Sequence, residues 1–312
     1  MKEKVIVIGG PTASGKTSLG VDLAKRVNGE VISADSMQIY KDMTIGTAKP
    51  LPEEMEGIPH HLIDFVSPDE RYSVADFKLD AEKKIDDILS RGKVPIIVGG
   101  TGLYIDTLIY GIEYPEIEFD EDYRNQLMKD ADTEEGLARL YEEAKKIDSE
   151  AIEKISPKDK KRITRIIELY KATGKTKTEL ERISKINGVK YDYKVFAINM
   201  DREKLYERIN LRVDLMIENG LVDEVKNIVN KYNKFPTAMQ GLGYKEVVQF
   251  LNEEITELEM VDKIKQESRR YAKRQLTWFR KNKDIIWLDG LAQREKNINV
   301  ILEVFKDGKD CI

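Results

Sequence analysis

The clearest chemical signal in this chain is the segment at residues 10–17, which reads Gly-Pro-Thr-Ala-Ser-Gly-Lys-Thr. Its spacing matches G-x-x-x-x-G-K-[ST], a loop whose glycines let backbone N–H groups point at a phosphate. The apolar run Val5–Ile8 precedes it and the helical pattern Thr17–Val27 follows it, as such a loop requires. The helix start adds partial positive charge there, and Lys16 adds a full one. The sequence therefore predicts a di- or triphosphate site, with Thr17 placed to bind Mg²⁺.

Two further segments follow the ends of predicted strands. Asp35 ends Val31-Ile-Ser-Ala-Asp, where a carboxylate could bind Mg²⁺, accept a proton from a nucleophile, or only cap a turn. The segment Val98-Gly-Gly-Thr-Gly lacks the Asp that binds Mg²⁺ in ATPases, which disfavours a motor or a GTPase. Thr101 supplies a hydroxyl there instead. Because parallel strands end at one edge of a sheet, we expect these segments and the phosphate loop to converge on one cleft.

Basic residues elsewhere are candidates for binding phosphates. Arg208 and Arg212 lie four residues apart on a predicted helix, where they could clamp a diphosphate or pair with acidic neighbours on a solvated surface. Residues 158–165 include five basic side chains, and residues 269–283 include seven, interleaved with aromatic ones. Each cluster could bind an RNA backbone and unstacked bases, or could be a solvated helix face.

Composition limits the class of protein. The chain has 312 residues, 41% apolar and 35% charged, so we expect a globular protein of about two domains. Its net charge of −5 argues mildly against nucleic acid as a partner, although an average conceals local patches. Cys311 is the single cysteine, which excludes an internal disulfide. With no signal peptide evident and no apolar run near the ~20 residues of a membrane span, we expect a cytoplasmic protein without a membrane partner.

The elements that must position these residues change character along the chain. Strands are predicted at residues 5–8, 30–33, 61–65 and 95–98, with helices at 17–27 and 75–89 between them. This alternation predicts an α/β fold with a P-loop NTPase-like parallel sheet. Residues 112–193 are mostly helical in pattern and predict a helical insertion domain. The core, residues 1–111 and 194–312, resumes with a strand at 194–199, helices at 202–218, 222–231, 257–282 and 292–306, and a short strand at 285–288.

Taken together, six segments resemble the tRNA dimethylallyltransferases and occur in the order of that family. They are Gly10–Thr17, Ser33–Lys41, Ile45–Pro50, Val98–Tyr104, Gly241–Glu246 and Arg270–Arg280. The resemblance spans nearly the whole chain. It implies transfer of a dimethylallyl group from dimethylallyl diphosphate to the exocyclic N6 amine of the adenosine immediately 3′ of the anticodon, with release of diphosphate.

The resemblance also implies a role for each matching residue. Lys16, Asp35 and Thr101 would be catalytic, and Asp35 would be the base toward the adenine amine. The diphosphate would be bound by Arg212, or failing that Arg208, and by Gly10, Pro11, Thr12, Ala13, Ser14, Gly15, Lys16 and Thr17. The tRNA would be bound by Asp35, Ser36, Met37, Gln38, Thr101, Lys161, Arg162, Ile163, Thr164, Arg165, Gln240, Gly241, Leu242, Gly243, Tyr244, Lys245, Arg270, Lys273 and Arg274. Residues 112–193 would hold the anticodon stem-loop, Mg²⁺ would be the cofactor, and no obligate protein partner is evident.

Three other functions compete with this interpretation. An adenylate isopentenyltransferase would use the same donor with AMP, ADP or ATP as acceptor, but a small acceptor needs neither the insertion nor the basic helix. A small-molecule P-loop kinase would use ATP as the donor. A non-catalytic RNA-binding protein would need neither Asp35 nor an intact phosphate loop.

Overall fold

This computed structural model describes residues 2–115, 120–184, 186 and 188–306 of the chain. These residues contain one six-stranded parallel sheet. Its strands are β1 (Lys4–Gly9), β2 (Gly29–Ser33), β3 (His60–His61), β4 (Val94–Val98), β5 (Asp192–Asn199) and β6 (Ile286–Asp289). The order across the sheet is β3-β2-β4-β1-β5-β6, and every neighbouring pair is parallel. The predicted α/β fold with a parallel sheet is therefore confirmed. Cys311 lies outside the described residues.

Fourteen helices occur in the described residues. The first four are α1 (Lys16–Val27), α2 (Pro52–Met55), α3 (Val74–Ser90) and α4 (Gly102–Ile109). They are followed by α5 (Glu121–Asp130), α6 (Glu134–Ile147), α7 (Ser149–Ile152), α8 (Lys160–Thr173) and α9 (Lys177–Ile183). The last five are α10 (Arg202–Glu218), α11 (Leu221–Lys231), α12 (Tyr244–Leu251), α13 (Glu257–Phe279) and α14 (Arg294–Lys306). None of them is both long and apolar enough to cross a membrane.

The chain forms two compact units, divided after residue 109 and after residue 189. The sheet belongs to the unit that contains both ends of the chain, whereas α5–α9 form the other unit around residues such as Leu140, Ile152 and Ile166. Within this helical unit, Arg124 on α5 makes a two-pronged ion pair with Glu168 on α8, at 2.8 and 2.9 Å. The helical unit therefore has a hydrophobic core of its own, and this ion pair links two of its helices.

The central strand β1 is buried on both faces because helices cover the sheet on each side. Val5 and Val7 pack against the layer that contains α3 and α4, while Ile6 and Ile8 pack against α1 and α14. A strand covered on both faces is continuously apolar, which explains why its sequence does not alternate. The sheet thereby fixes the end of β1, from which the phosphate loop continues.

The sequence predicts a longer third strand than the structure contains. The predicted strand covers residues 61–65, but β3 ends at His61 because Leu62 and Asp64 adopt left-handed backbone conformations, with φ of 58° for both. The short helices α2 and α12 were not predicted. The start of α12 follows Gly243, whose φ of 92° allows the sharp turn that no periodic pattern signals.

Candidate active site

The phosphate loop, residues 10–17, joins β1 to α1 in a conformation that depends on its glycines. Gly10 has a φ of 142°, and a Cβ atom there would lie 3.2 Å from the backbone N and O of Ile198 on β5. Gly15, with a φ of 89°, immediately precedes α1. The Ser14 hydroxyl donates to the Pro11 carbonyl at 2.8 Å and closes the turn. The glycines and this hydrogen bond therefore determine the shape of the loop.

Two basic side chains lie at this loop, one from the loop itself and one from α10. Lys16 donates from Nζ to the Pro11 carbonyl at 2.6 Å, and Arg212 on α10 donates from Nη1 to the Thr12 hydroxyl at 3.3 Å. Burial, and to a smaller extent the charge of Arg212, lower the pKa of Lys16 to about 7, although Asp35 opposes the shift. Burial also lowers the pKa of Arg212. An anion bound here would favour the charged form of both groups, which is the electrostatic character of a diphosphate site.

The two predicted arginines differ in placement. Arg212 lines the cavity described below, whereas Arg208 is exposed and does not line it. The two share a face of α10, but among the described residues only Arg212 has a hydrogen bond to the phosphate loop. Arg212 is therefore the arginine available for a bound diphosphate.

Asp35 follows β2 and caps a turn while its side chain lines the same cavity. Its Oδ1 accepts hydrogen bonds from the N–H groups of Met37 at 2.9 Å and Gln38 at 3.3 Å. Within the described part of the chain Oδ2 accepts none, so this oxygen is available to a ligand. The turn-capping and functional interpretations of Asp35 are thus compatible.

Thr101 holds the turn after Asp35. Its Oγ1 accepts from the Ser36 N–H at 3.0 Å and donates to the Ser36 hydroxyl at 3.3 Å. The backbones of the two segments are in contact here, since a Cβ atom on Gly99 would lie 2.2 Å from the Ala34 carbonyl oxygen. Thr101 does not line the cavity, but its hydrogen bonds hold Ser36, which does.

Gln275, on α13, connects the phosphate loop to the Gly-rich segment after β4. Its Oε1 accepts from the Thr12 N–H at 2.8 Å, and its Nε2 donates to the Gly100 carbonyl at 2.9 Å. The side chain is buried, and a Cβ atom on Gly100 would lie 2.2 Å from its Nε2. Sequence reasoning missed this residue. The only signal was its position inside the matching segment Arg270–Arg280.

The Gln38 side chain is committed to the protein. Its Nε2 donates to the carbonyls of Thr47 and Ala48 at 3.3 and 3.2 Å, and its Oε1 accepts from the Ser33 hydroxyl at 3.2 Å. Both Nε2 protons are therefore used. A contact between Gln38 and a base would have to use Oε1 or replace these bonds.

A cavity of about 960 Å³ opens among these segments within the unit that contains the sheet. Its lining includes many of the predicted site residues, which are Thr12, Ala13, Ser14, Gly15, Lys16, Thr17, Asp35, Ser36, Met37, Gln38, Arg212, Gln240, Gly241, Leu242, Tyr244, Lys245 and Arg274. The predicted site residues of this unit that do not line it are Gly10, Pro11, Thr101, Arg208, Gly243, Arg270 and Lys273. The expected convergence of distant segments at the strand ends is thus present.

The remaining predicted tRNA-binding residues differ in accessibility. On α13, Arg270, Lys273 and Arg274 are exposed at helical spacing and share one face. On α8, Lys161 and Arg162 are exposed, and Arg165 is half-buried beside Glu168. The side chains of Ile163 and Thr164 are buried in the core of the helical unit, so they are not accessible to RNA.

Comparison with known proteins decides the family. A family model described as IPP transferase matches residues 38–282, and one described as Isopentenyl transferase matches residues 3–72. The chain belongs to the IPP transferase family. It is similar to the tRNA dimethylallyltransferases of Acetivibrio thermocellus, with 52% identity, and Caldanaerobacter subterraneus subsp. tengcongensis, with 51% identity; 92% of each chain is covered in both comparisons. The resemblance inferred from the six segments is confirmed.

Solved structures agree with this assignment. The full-length tRNA isopentenylpyrophosphate transferase from Bacillus halodurans is 43% identical, with a TM-score of 0.73 over 98% of this chain and 96% of that one. A eukaryotic dimethylallyltransferase acting on tRNA is 33% identical, with a TM-score of 0.80 over 99% of this chain and 79% of that one. This member of the IPP transferase family is therefore similar to both transferases in sequence and has the same fold, including the P-loop-like core.

Proposed function

We propose that this protein transfers a dimethylallyl group from dimethylallyl diphosphate to tRNA, at N6 of the adenosine immediately 3′ of the anticodon. The observation that carries the proposal is that one cavity is lined by the phosphate loop, by Lys16 and Arg212, and by the Asp35 carboxylate. Lys16 and Arg212 suit the diphosphate, and Asp35 suits the proton of the amine. Because tRNA is the substrate, the proposal includes a cytoplasmic location.

The diphosphate end of the donor would be bound by the phosphate loop. Backbone N–H groups of residues 13–17, Lys16 and Arg212 all favour negative charge, and this charge grows on the diphosphate as its bond to the dimethylallyl carbon breaks. Donors fixed in advance around a developing charge lower the barrier most effectively. The loop would therefore make diphosphate a good leaving group.

The adenine amine would attack the dimethylallyl carbon, and Asp35 would take its proton. The new C–N bond forms as the C–O bond breaks, the electron pair of that bond leaves with diphosphate, and Asp35 neutralises the cationic nitrogen. Oδ1 is engaged in the turn, so Oδ2 would be the acceptor of the proton. Ser36 and Thr101 would hold the turn that carries the carboxylate.

The described side chains of the protein could hold Mg²⁺ only together with phosphate oxygens of the substrate. The described residues contain no group of three or more His, Cys, Asp or Glu side chains that could hold a metal ion. Thr17 lines the cavity, and Mg²⁺ is commonly bound by one or two protein oxygens together with phosphate oxygens and water. Thr17 would therefore hold the ion with the diphosphate, where its charge stabilises the leaving group.

The tRNA would be bound by exposed basic residues and by the cavity wall. The stripe of Arg270, Lys273 and Arg274 is suited to phosphates, as are Lys161 and Arg162 in the helical unit, which would hold the anticodon stem-loop. Gln240 and Lys245 would contact the anticodon loop. The target base would have to be unstacked to enter the cavity, as in other proteins that act on a base.

The test is a choice of acceptor. The protein is incubated with labelled dimethylallyl diphosphate and Mg²⁺, together with unmodified tRNA, AMP or ATP. Label in tRNA alone supports the proposal. Label in AMP or ATP would instead indicate an adenylate isopentenyltransferase, and binding of tRNA without transfer would indicate an RNA-binding protein. A Lys16→Ala variant controls for transfer that does not depend on the phosphate loop.

A further inference from the structure

The carboxylate of Glu224 lies at the centre of a set of hydrogen bonds that the proposed chemistry does not use. Glu224 is in the first turn of α11, and it accepts from the N–H groups of Thr44 at 2.9 Å, Ile45 at 2.7 Å and Gly46 at 3.1 Å. The Tyr244 hydroxyl donates to it as well, at 2.6 Å. Three successive backbone N–H groups around an anion form a strong, orientation-specific cradle. The carboxylate therefore fixes the segment at residues 44–46.

The contact between this segment and α12 leaves no spare room. A Cβ atom on Gly46 would lie 2.5 Å from Cε2 of Tyr244, whose side chain is fully buried. Glu224 thus joins two of the segments by which the family was identified, Ile45–Pro50 and Gly241–Glu246. Both segments line the cavity, whereas Glu224 does not.

The segment at residues 44–46 is followed directly by Thr47 and Ala48, which contact Gln38 beside the proposed catalytic base, Asp35. Thr47 donates from its hydroxyl to the Met43 carbonyl at 2.6 Å, and the carbonyls of Thr47 and Ala48 accept both Nε2 protons of Gln38. Gln38 in turn donates its backbone N–H to Asp35 Oδ1. Within the described residues, the hydrogen bonds of the Glu224 carboxylate all go to residues 44–46 and 244, and none goes to the phosphate loop. Glu224 should therefore affect the part of the cavity near Gln38 and Asp35, where the adenine acceptor would lie. It should not affect the phosphate loop, where the dimethylallyl diphosphate would be bound.

We propose that Glu224 is a positioning residue for the acceptor: by holding residues 44–48, it orients Gln38 and the cavity wall toward the unstacked base of the RNA. This inference rests on the proposed function, because it names which part of the transfer reaction depends on Glu224. A change at Glu224 should therefore alter kcat/KM for tRNA and should have little effect on the affinity for dimethylallyl diphosphate.

The test substitutes Glu224→Gln, with Asp223→Asn as the matched control. Both changes remove one negative charge from the first turn of α11, but Asp223 is exposed, and the N–H groups of residues 44–46 donate to Glu224 instead. In Glu224→Gln an amide NH₂ group would face N–H donors, so we expect kcat/KM for tRNA to fall roughly tenfold to a hundredfold. The dissociation constant of dimethylallyl diphosphate should stay within about twofold of the wild-type value.

The sign of the effect separates positioning from simple charge. Removing a negative charge should by itself strengthen RNA binding, most at low salt. A weakened use of tRNA in Glu224→Gln, with the same salt dependence of binding as in Asp223→Asn, therefore identifies positioning. Wild-type values for tRNA, or losses equal to those of Asp223→Asn, would overturn the inference.

A second measurement keeps the test decisive if Glu224→Gln does not fold. Tyr244→Phe removes one of the four hydrogen bonds and should lower kcat/KM for tRNA in the same direction by a smaller factor. Where Glu224→Gln does fold, its effect and that of Gln38→Ala should be non-additive, because both residues belong to one chain of contacts. Additive losses, or an unaffected Tyr244→Phe variant, would contradict the inference. If the wild-type protein transfers nothing to tRNA, the proposed function itself fails, which is a different result from an active wild type with inert variants.

Discussion

Binding of the donor should take up a proton at Lys16. Burial and the nearby Arg212 lower the pKa of this residue to about 7, so in the free protein much of the ammonium is deprotonated near neutral pH. A bound diphosphate favours the ammonium and raises the pKa again. Because the ligand prefers the protonated form, affinity rises as pH falls toward the pKa of the free protein and declines above it.

The magnitude follows from the protonated fraction. A group with a pKa of about 7 is protonated in roughly ten of eleven molecules at pH 6 and in one of eleven at pH 8. If only the ammonium form binds, affinity for dimethylallyl diphosphate should fall about tenfold across this range, and about 0.75 proton should be taken up per ligand at pH 7.5.

Isothermal titration calorimetry at fixed Mg²⁺, without tRNA, measures both quantities. The same titration in buffers of different ionisation enthalpy gives the number of protons taken up. Lys16→Arg is the matched control because its guanidinium stays charged, so the ratio of wild-type to variant affinity cancels the ionisation of the ligand itself. A ratio that does not change between pH 6 and pH 8, or binding without proton uptake, would refute this account of Lys16.

Three further substitutions test separate parts of the site. Asp35→Asn should keep donor and tRNA binding but slow single-turnover transfer by about 10²–10⁴-fold, the usual loss for a general base; a rate within a few-fold of wild type would exclude that role. Gln275→Met should raise the KM for dimethylallyl diphosphate about tenfold by leaving the Thr12 N–H and the Gly100 carbonyl without their partner, whereas Gln266→Met, exposed on the same helix, should not. Replacing Lys161 and Arg162 by Gln should weaken tRNA binding and reduce the slope of log affinity against log salt by about 1.4–1.8; unchanged binding lines would show that this cluster is only a solvated face.

The sequence was most informative where the physical cause is local. The apolar run of β1, the glycine spacing of residues 10–17 and the helix that follows are determined by neighbours along the chain, and they predicted the sheet and the phosphate loop. Pairing across the sheet then follows from the alternation of strands and helices. The prediction that β3 extends to residue 65 was wrong for an equally local reason, because Leu62 and Asp64 adopt left-handed backbone conformations.

Contacts between distant segments could not be predicted in this way. Glu224 is about 180 positions from the backbone groups that it binds, and Gln275 is 263 positions from Thr12. A glutamate in a helical first turn is ordinarily explained by the helix dipole, so its sequence context carries no sign of a second role. The burial that lowers the pKa of Lys16 likewise depends on the folded cavity, and a motif alone does not report it.

The most direct test of the central claim locates the added group in the product. Unmodified tRNA is incubated with the protein, dimethylallyl diphosphate and Mg²⁺, then digested and sequenced by mass spectrometry. The account predicts one dimethylallyl group on the adenosine immediately 3′ of the anticodon, with no transfer to a tRNA in which that adenosine is replaced by guanosine. Transfer to a different nucleotide, or equal labelling of the substituted tRNA, would contradict it.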